Sequence, residues 1–302
     1  MHDDGQVIRC NLRGKFKKHF GLKKDKLYAL DVAIVGDFVD INMNEDGTGT
    51  ITGIDERKNY LSRKAPKIKG ASYRGERLEQ VVAANVDNLL VITSVDYPQF
   101  NNRVIDRIIV AGESSHINTI IVINKIDLDK EDFIQPWKEL YESLGYNVFL
   151  TCAKTGKGVD EIKSILDGKV NLFWGQSGVG KSSLLNSLFG LDLSTGEIST
   201  FSNKGTHTTV TSRMIDMGGN TFVIDTPGIR EIEPYGIKKE DLGHYFVEFA
   251  GYLEDCKFNT CTHHHEPGCA VIKAVEIGDI SSERYESYLK LLETIEEDMI
   301  FQ

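Results

Sequence analysis

The stretch Val170–Ser183, "VNLFWGQSGVGKSS", decides how this chain is read. A short, mostly apolar strand runs into Gly175-x4-Gly180-Lys181-Ser182, and "SSLLNSLFG" behind it reads as a helix. Strand, glycine-rich turn and helix N-terminus in that order make a phosphate loop. Glycines allow the backbone from Gly175 through Gln176, Ser177, Gly178, Val179 and Gly180 to turn its N–H groups around a β-phosphate, where the helix dipole favours the anion. Lys181 would bridge β- and γ-phosphate oxygens, which makes it a catalytic candidate. The Ser182 hydroxyl would ligate Mg²⁺, with Ser183 beside it in the first helical turn.

Two further strand ends carry matching chemistry. "NTFVID" ends in Asp225-Thr226-Pro227-Gly228. There the Asp225 carboxylate can hold Mg²⁺ through a water, and the Gly228 N–H can meet a γ-phosphate. Alone, "DTPG" is an ordinary turn; downstream of a phosphate loop it is a nucleotide motif. "IVINKID" ends in Asn124, Lys125, Ile126 and Asp127. An Asp127 carboxylate would accept hydrogen bonds from the N1–H and exocyclic amine of guanine. Adenine offers no such pair, so the wrong base leaves a buried charge unpaired. "TCAK", Thr151–Lys154, follows the strand "NVFL" and fits a loop backing the base, with the Ala153 N–H toward guanine O6 and Lys154 next to it. In most proteins with both motifs the phosphate loop precedes the base reader; here Asn124–Asp127 come first.

Between the loop and "DTPG" lies "SNKGTHTTVTSRM", where Thr208 or Thr209 could coordinate Mg²⁺ as part of a switch segment. Ile229 follows Gly228, where many GTPases carry a glutamine that orients water. Isoleucine cannot hydrogen-bond a water, so another group must, and His207 is the nearby candidate.

The remaining motif is Cys256-x4-Cys261-x-His263-x5-Cys269. Three thiolates and one imidazole form a closed tetrahedral zinc site, structural because no position is left for water. Local spacing leaves His264 and His265 as rival ligands. The five cysteines are odd in number and clustered, which favours metal over disulfides.

Around these motifs the chain is organised in three parts. With 302 residues, 40% hydrophobic and 26% charged, it has length for two or three modest domains. From Val7 to about Pro66 strand-like text alternates with turn signals such as Gly36-Asp37 and Asp46-Gly47, predicting a small antiparallel barrel or sheet. "KIKGASYRGE" reads as a linker. From Val81 the continuous apolar runs "NLLVITSV", "NTIIVIN", "NVFLTC", "VNLFWG" and "NTFVID" alternate with helical segments, which predicts a parallel sheet covered on both faces. "SSERYESYLKLLETIEED" predicts a final helix with a Ser281/Ser282 cap and an apolar stripe through Tyr285, Tyr288, Leu292 and Ile295. No apolar run approaches the ~20 residues of a membrane span, and the N-terminus lacks a signal-peptide core, so a cytoplasmic protein is expected. The absence of a long heptad pattern predicts a monomer. Net charge is −10, yet residues 1–80 hold 16 Lys/Arg against 12 Asp/Glu, so any RNA contact is expected there. Phe16, Phe20 and Phe38 are its candidate stacking aromatics, with core packing the alternative.

With these residues in view, the chain resembles the circularly permuted bacterial GTPases of the RsgA (YjeQ) family. "VGDFVD", "GTGTITGI" and "ERKNYLSR" are similar to that family's OB-fold, "AANVDNLLVI" to its GTPase entry, and "CKFNTCTHHHEPGCAV" to its zinc knuckle. The resemblance implies a P-loop GTPase domain over 67–236, between an N-terminal OB-fold β-barrel over 1–66 and a C-terminal α-helical zinc-binding domain over 237–302. It places the zinc ligands at Cys256, Cys261, His263 and Cys269, and gives His207 the part of the missing glutamine. It also implies GTP hydrolysis that is slow alone and stimulated by the small (30S) ribosomal subunit, with a role in late maturation of that subunit through its rRNA. The family usually carries an arginine before the switch histidine; Thr206 stands there. Two other functions fit parts of the pattern. A nucleotide-regulated RNA-binding module with negligible hydrolysis fits Ile229, and an ATP-using P-loop protein is disfavoured by "NKID".

Overall fold

The structure, a computed structural model, describes residues 6–13, 33–64, 79–191, 212–226 and 233–295. Five strands belong to the N-terminal region. β1 (Cys10–Leu12), β2 (Val39–Met43) and β3 (Gly49–Ile54) form one sheet in the order β1-β3-β2, while β4 (Tyr60–Lys64) pairs with β5 (Glu79–Ala84). β2 and β3 are antiparallel, as expected, with a register shift at Asp40/Ile41; β1 runs parallel to β3. The chain between Leu12 and Gly49 is long enough for the crossover a parallel pair requires.

The apolar runs assemble into one six-stranded sheet. Its members are β6 (Asn88–Ser94), β7 (Asn118–Asn124), β8 (Asn147–Leu150), β9 (Val170–Gly175), β10 (Arg213–Asp216) and β11 (Phe222–Asp225). The order is β10-β11-β9-β6-β7-β8, parallel except for the antiparallel edge strand β10. Residues 89–92 and 120–123 are buried on both faces, which explains why these strands read as unbroken apolar runs. One core layer packs α1 (Asn102–Ser114) and α2 (Gln135–Ser143) through Ile105, Ile109 and Tyr141. The other packs α3 (Val159–Leu166) and α4 (Lys181–Phe189) through Ile162, Leu184 and Leu188. Register aligns Ser94 with Asn124, Ile92 with Gly175, Ile123 with Leu150 and Phe173 with Asp225. The glycine-rich turn, Asn124–Asp127, Thr151–Lys154 and Asp225 therefore all lie at the carboxyl edge of the sheet, where open α/β sheets bind ligands.

The opposite edge is a joint built from side-chain amides. Asn88 donates to Asn171 Oδ1 at 2.8 Å and accepts from Asn118 at 2.9 Å. Asn59 exchanges two hydrogen bonds with the Val86 backbone, and Asn85 donates to Gly36 O at 2.9 Å. Gly36 has φ +93°, and an added Cβ would fall 2.0 Å from Ala84 O, so only glycine fits. "VGDF", "ERKN" and "AANVD" thus form the seam between the N-terminal strands and the main sheet. Leu61 of β4 and Val82 of β5 belong to the same core as β6, so this pair packs on the main domain.

The C-terminal region holds short 3₁₀ turns, α5 (Ala270–Glu276) and α6 (Ser282–Thr294). Ser281 caps α6 by accepting from the Arg284 N–H, and Tyr288, Leu291 and Leu292 fill the local core with Phe246 and Phe249. Of the predicted stripe, Tyr288 and Leu292 are core, while Tyr285 and Ile295, the latter just past the helix end, pack against it half-buried. Among the described residues no helix is long and apolar enough to cross a membrane.

Candidate functional site

The glycine-rich turn joins β9 to α4 with Gly178 and Gly180 at φ +88° and +97°. A Cβ at Gly175 would meet Ile92 O at 2.4 Å, and one at Gly180 would meet Asn124 Nδ2 at 2.4 Å. Two neighbouring strands therefore fix the turn's shape from below. Val179 is buried, while Ser177 and Gly178 are exposed at the rim; Gln176, Ser182 and Ser183 are half-buried. Lys181 Nζ donates to Gly175 O at 2.5 Å and Gln176 O at 3.1 Å, so it already lies across the turn.

Asp225, at the end of β11, is only 2% exposed, and its Oδ1 has no hydrogen-bond partner among the described residues. Burial pushes its carboxyl up to about 6, with the Lys181 ammonium and the Thr226 N–H opposing. Burial in turn holds Lys181 below the ordinary lysine value, against the pull of Asp225. A buried carboxylate oxygen without a donor, near an ammonium and the first turn of α4, is chemically suited to a hydrated divalent cation.

Asn124 binds the base-reading loop to the phosphate loop. Its Nδ2 donates to Val179 O at 3.0 Å, and its Oδ1 accepts from Thr151 Oγ1 at 3.2 Å and the Ala153 N–H at 3.0 Å. The Ala153 N–H, expected to face guanine O6, is thus engaged by Asn124. The Ile126 N–H reaches Thr151 O at 3.1 Å. Lys125 adopts a left-handed φ of 62°, and its Nζ donates to Tyr97 O and lies 3.5 Å from Asp96 O. Asp127 is exposed, with its Oδ1 accepting from the Cys152 thiol at 3.2 Å. Lys154 is exposed beside this loop. Sequence reasoning singled out the Thr151–Lys154 loop but not the bonds Thr151 and Cys152 make there, and it missed the Asp96-Tyr97 turn. The only signal for that turn was its place after a buried strand, and its relevance depends on strand order. His207, Thr208, Thr209 and Gly228 lie outside the described residues, as do Phe16 and Phe20; Phe38 is exposed.

The second centre brings Cys256, Cys261, His263 and Cys269 together, with ligand atoms all within 4.8 Å of one another. Cys256 Sγ lies 3.5 Å from His263 Nδ1 and 3.9 Å from Cys269 Sγ, which itself lies 3.3 Å from His263 Nδ1. Two thiolates about 2.3 Å from a tetrahedral zinc stand about 3.8 Å apart, so the donor set fits such an ion. Burial pushes the Cys261 thiol up to about 12, and Cys269 is also raised by burial. His263 takes a left-handed φ of 51°, and its ring packs on Gly243, where a Cβ would come within 2.9 Å. The Tyr285 hydroxyl donates to His263 O at 2.8 Å and the Tyr288 hydroxyl to Thr262 O at 2.6 Å. Glu266 braces the turn by accepting from Thr262 and from the His264 and His265 N–H groups. Those bonds, against the upward push of burial, hold its carboxyl well below the usual range. His264 and His265 are exposed and outside the cluster, so His263 is the imidazole placed to serve with the three thiols.

A phosphate loop on β9, a guanine-type reader on β7 and an acidic strand end on β11 define a P-loop GTPase whose strands are permuted along the chain. The comparisons agree. The RsgA GTPase family model matches residues 54–234, and the chain belongs to that family. It is 42% identical to the small ribosomal subunit biogenesis GTPase RsgA 2 of Bacteroides thetaiotaomicron, over 98% of this chain and 92% of that protein. It is 44% identical to the small ribosomal subunit biogenesis GTPase RsgA of Chlorobaculum tepidum, over 97% and 93%. Among solved structures it is similar to YjeQ from Thermotoga maritima, with TM-score 0.72 and 34% identity over 96% of this chain and 91% of that one. It is also similar to YloQ, described as a circularly permuted GTPase, with TM-score 0.68 and 33% identity over 97% and 87%.

Proposed function

We propose that this chain hydrolyses GTP to GDP and phosphate and works as a switch in late maturation of the small ribosomal subunit. The observation that carries this is the Asn124–Val179 hydrogen bond, which joins base reader and phosphate loop into one pocket despite their inverted order. Asp127 reads guanine, supported by Lys125, Ile126, Ala153 and Lys154, and the Gly175–Ser183 backbone holds the phosphates. Lys181 exchanges its bonds to the Gly175 and Gln176 carbonyls for β- and γ-phosphate oxygens, neutralising charge as it builds toward the leaving group. Ser182, Thr209 and Asp225 would hold Mg²⁺, which would supply positive charge to offset that of the phosphates. Gly228 senses the γ-phosphate and His207 orients the attacking water. Zn²⁺ at Cys256, Cys261, His263 and Cys269 is structural.

The N-terminal region over 1–66, read as an OB-fold, contacts rRNA; 67–236 is the GTPase domain and 237–302 the zinc domain. The protein acts as a cytoplasmic monomer. Ile229 supports a second reading, a nucleotide-regulated RNA-binding module with negligible hydrolysis. GTP turnover titrated with purified small subunits separates the two. Turnover that rises with subunits and collapses in His207→Ala supports the switch; turnover no higher than buffer at saturating subunits ends it.

A further inference from the structure

The turn Asp96–Gln99 follows β6, which lies between β9 and β7, so it stands between the phosphate loop and the base reader. Both touch it. Tyr97 O accepts from Lys125 Nζ, and a Cβ on Gly178 would fall 3.6 Å from Pro98 Cδ. Tyr97 holds a left-handed φ of 51°, a conformation costly for a non-glycine residue, and the Ser94 hydroxyl ties down Pro98 O at 2.7 Å. Three residues beyond Pro98, Asn101 caps α1.

The outer face of α1 carries the C-terminal domain. Asn102 Nδ2 donates to Ser287 Oγ at 3.1 Å, and Val110 is buried in the same core as Phe246 and Tyr288. One turn into the helix lies Asp106, whose Oδ1 accepts from Arg284 Nη1 at 2.5 Å and from the Tyr141 hydroxyl at 2.7 Å. Arg284 completes its fork on Glu248, at 2.6 and 3.0 Å, and lies over the Phe246 ring. Arg284 and Asp106 are 0% and 1% exposed. Two acids meet one cation there, and Asp106 Oδ2 has no partner among the described residues. Replacing a buried ion pair by apolar residues is often neutral or stabilising, so stability alone does not explain this one; geometry is the stronger reason for it.

We propose that α1 is a shared lever. Guanine nucleotide in the pocket fixes the Asp96–Gln99 turn through Lys125 and Gly178, and α1 transmits that order to the zinc domain through Arg284. Arg284 is accordingly a positioning residue for nucleotide affinity, although it touches no part of the pocket. The route calls on no γ-phosphate, so GDP serves it as well as GTP. It rests on the pocket assigned above.

Coupling between sites is reciprocal and typically spans 5–150-fold. Full-length, zinc-loaded protein is compared by amide exchange with and without saturating GDP, with GDP binding measured on the same sample. The expected result is slower exchange in Ser282–Thr294 by about fivefold or more when GDP binds. Arg284→Met, retaining one zinc per chain, loses that slowing and binds GDP more weakly by the same factor; Asn102→Ala shows a smaller loss of both. Identical α6 exchange with and without GDP in the wild type overturns the lever, and this arm decides even if Arg284→Met fails to fold. Wild-type GDP affinity in a folded Arg284→Met also overturns it. Absence of GDP binding in the wild type would instead strike the pocket assignment.

Discussion

The nucleotide pocket gathers its groups from five strand ends between Asp96 and Asp225, whereas the metal centre takes all four ligands from Cys256–Cys269. In the pocket, polar groups bond to protein. Lys181 lies on loop carbonyls, Asn124 makes three bonds and Lys125 caps a turn; Asp225 Oδ1 is a buried oxygen without a partner among the described residues. In the centre, the Cys256 and Cys269 sulfur atoms face one another and the His263 imidazole. The pocket is a scaffold that supports itself and then accepts a ligand. The centre, by contrast, brings its donors together in a way that suits an ion.

That contrast is most exposed by removing metal. Cys261→Ser or a strong chelator should melt residues 237–295 as a unit, because structural zinc supplies roughly 10 kcal/mol or more of folding free energy. Hydrogen exchange would show it, with the main sheet left protected; an unchanged C-terminal domain would erase the distinction. Next in size, Lys181→Ala should cost about 100-fold in GTP affinity, the worth of its charge-assisted bonds to phosphate. Its thermal midpoint should hold or rise, since a buried ammonium is being removed. A midpoint falling with affinity would make Lys181 part of the scaffold.

The third test is pH. The Asp225 carboxyl titrates near 6, above its ordinary value of 3.8, so the folded protein binds the extra proton between those values. Nucleotide-free protein therefore loses stability as pH rises through that window. Mg²⁺-supported GDP binding, which needs the carboxylate, should weaken up to about tenfold per unit as pH falls below 6. Asp225→Asn should flatten the profile; a wild-type profile flat from 7 to 5 would contradict the burial argument. Smallest is Cys152→Ala, which frees Asp127 from the thiol. Preference for GTP over ITP should narrow by about fivefold, near the worth of one hydrogen bond, and Cys152→Ser should restore it.

The part of this legible in sequence was whatever local spacing encodes. "NLLVITSV", "NTIIVIN" and "VNLFWG" announced β6, β7 and β9 because strands buried on both faces carry continuous apolar runs. "NRVIDRIIVAGES" coincides with α1, and the cysteine spacing reproduced the metal cluster. What escaped depends on contacts between distant segments. β10 is a short, half-exposed edge strand with no run to mark it, and the parallel pairing of β1 with β3 is a matter of crossover. The Cys152–Asp127 bond and the burial of Arg284 arise only once sheet order brings helices and loops together. An arginine at helical spacing reads as surface; two acids from other elements make it core.

The strand order also bears on how the chain is born. In the finished sheet β6 is central, flanked by β7 and β9. A ribosome delivers β7 and β8 soon after β6, while the end of β9 follows Ser94 by about 80 residues, roughly 4–16 s of synthesis. Through that interval one flank of Leu89–Ile92 is an apolar ribbon with bare amides, open to zippering with a neighbouring nascent chain. The yield of soluble product then depends on translation speed across residues 95–169 and on any chaperone that shields that flank.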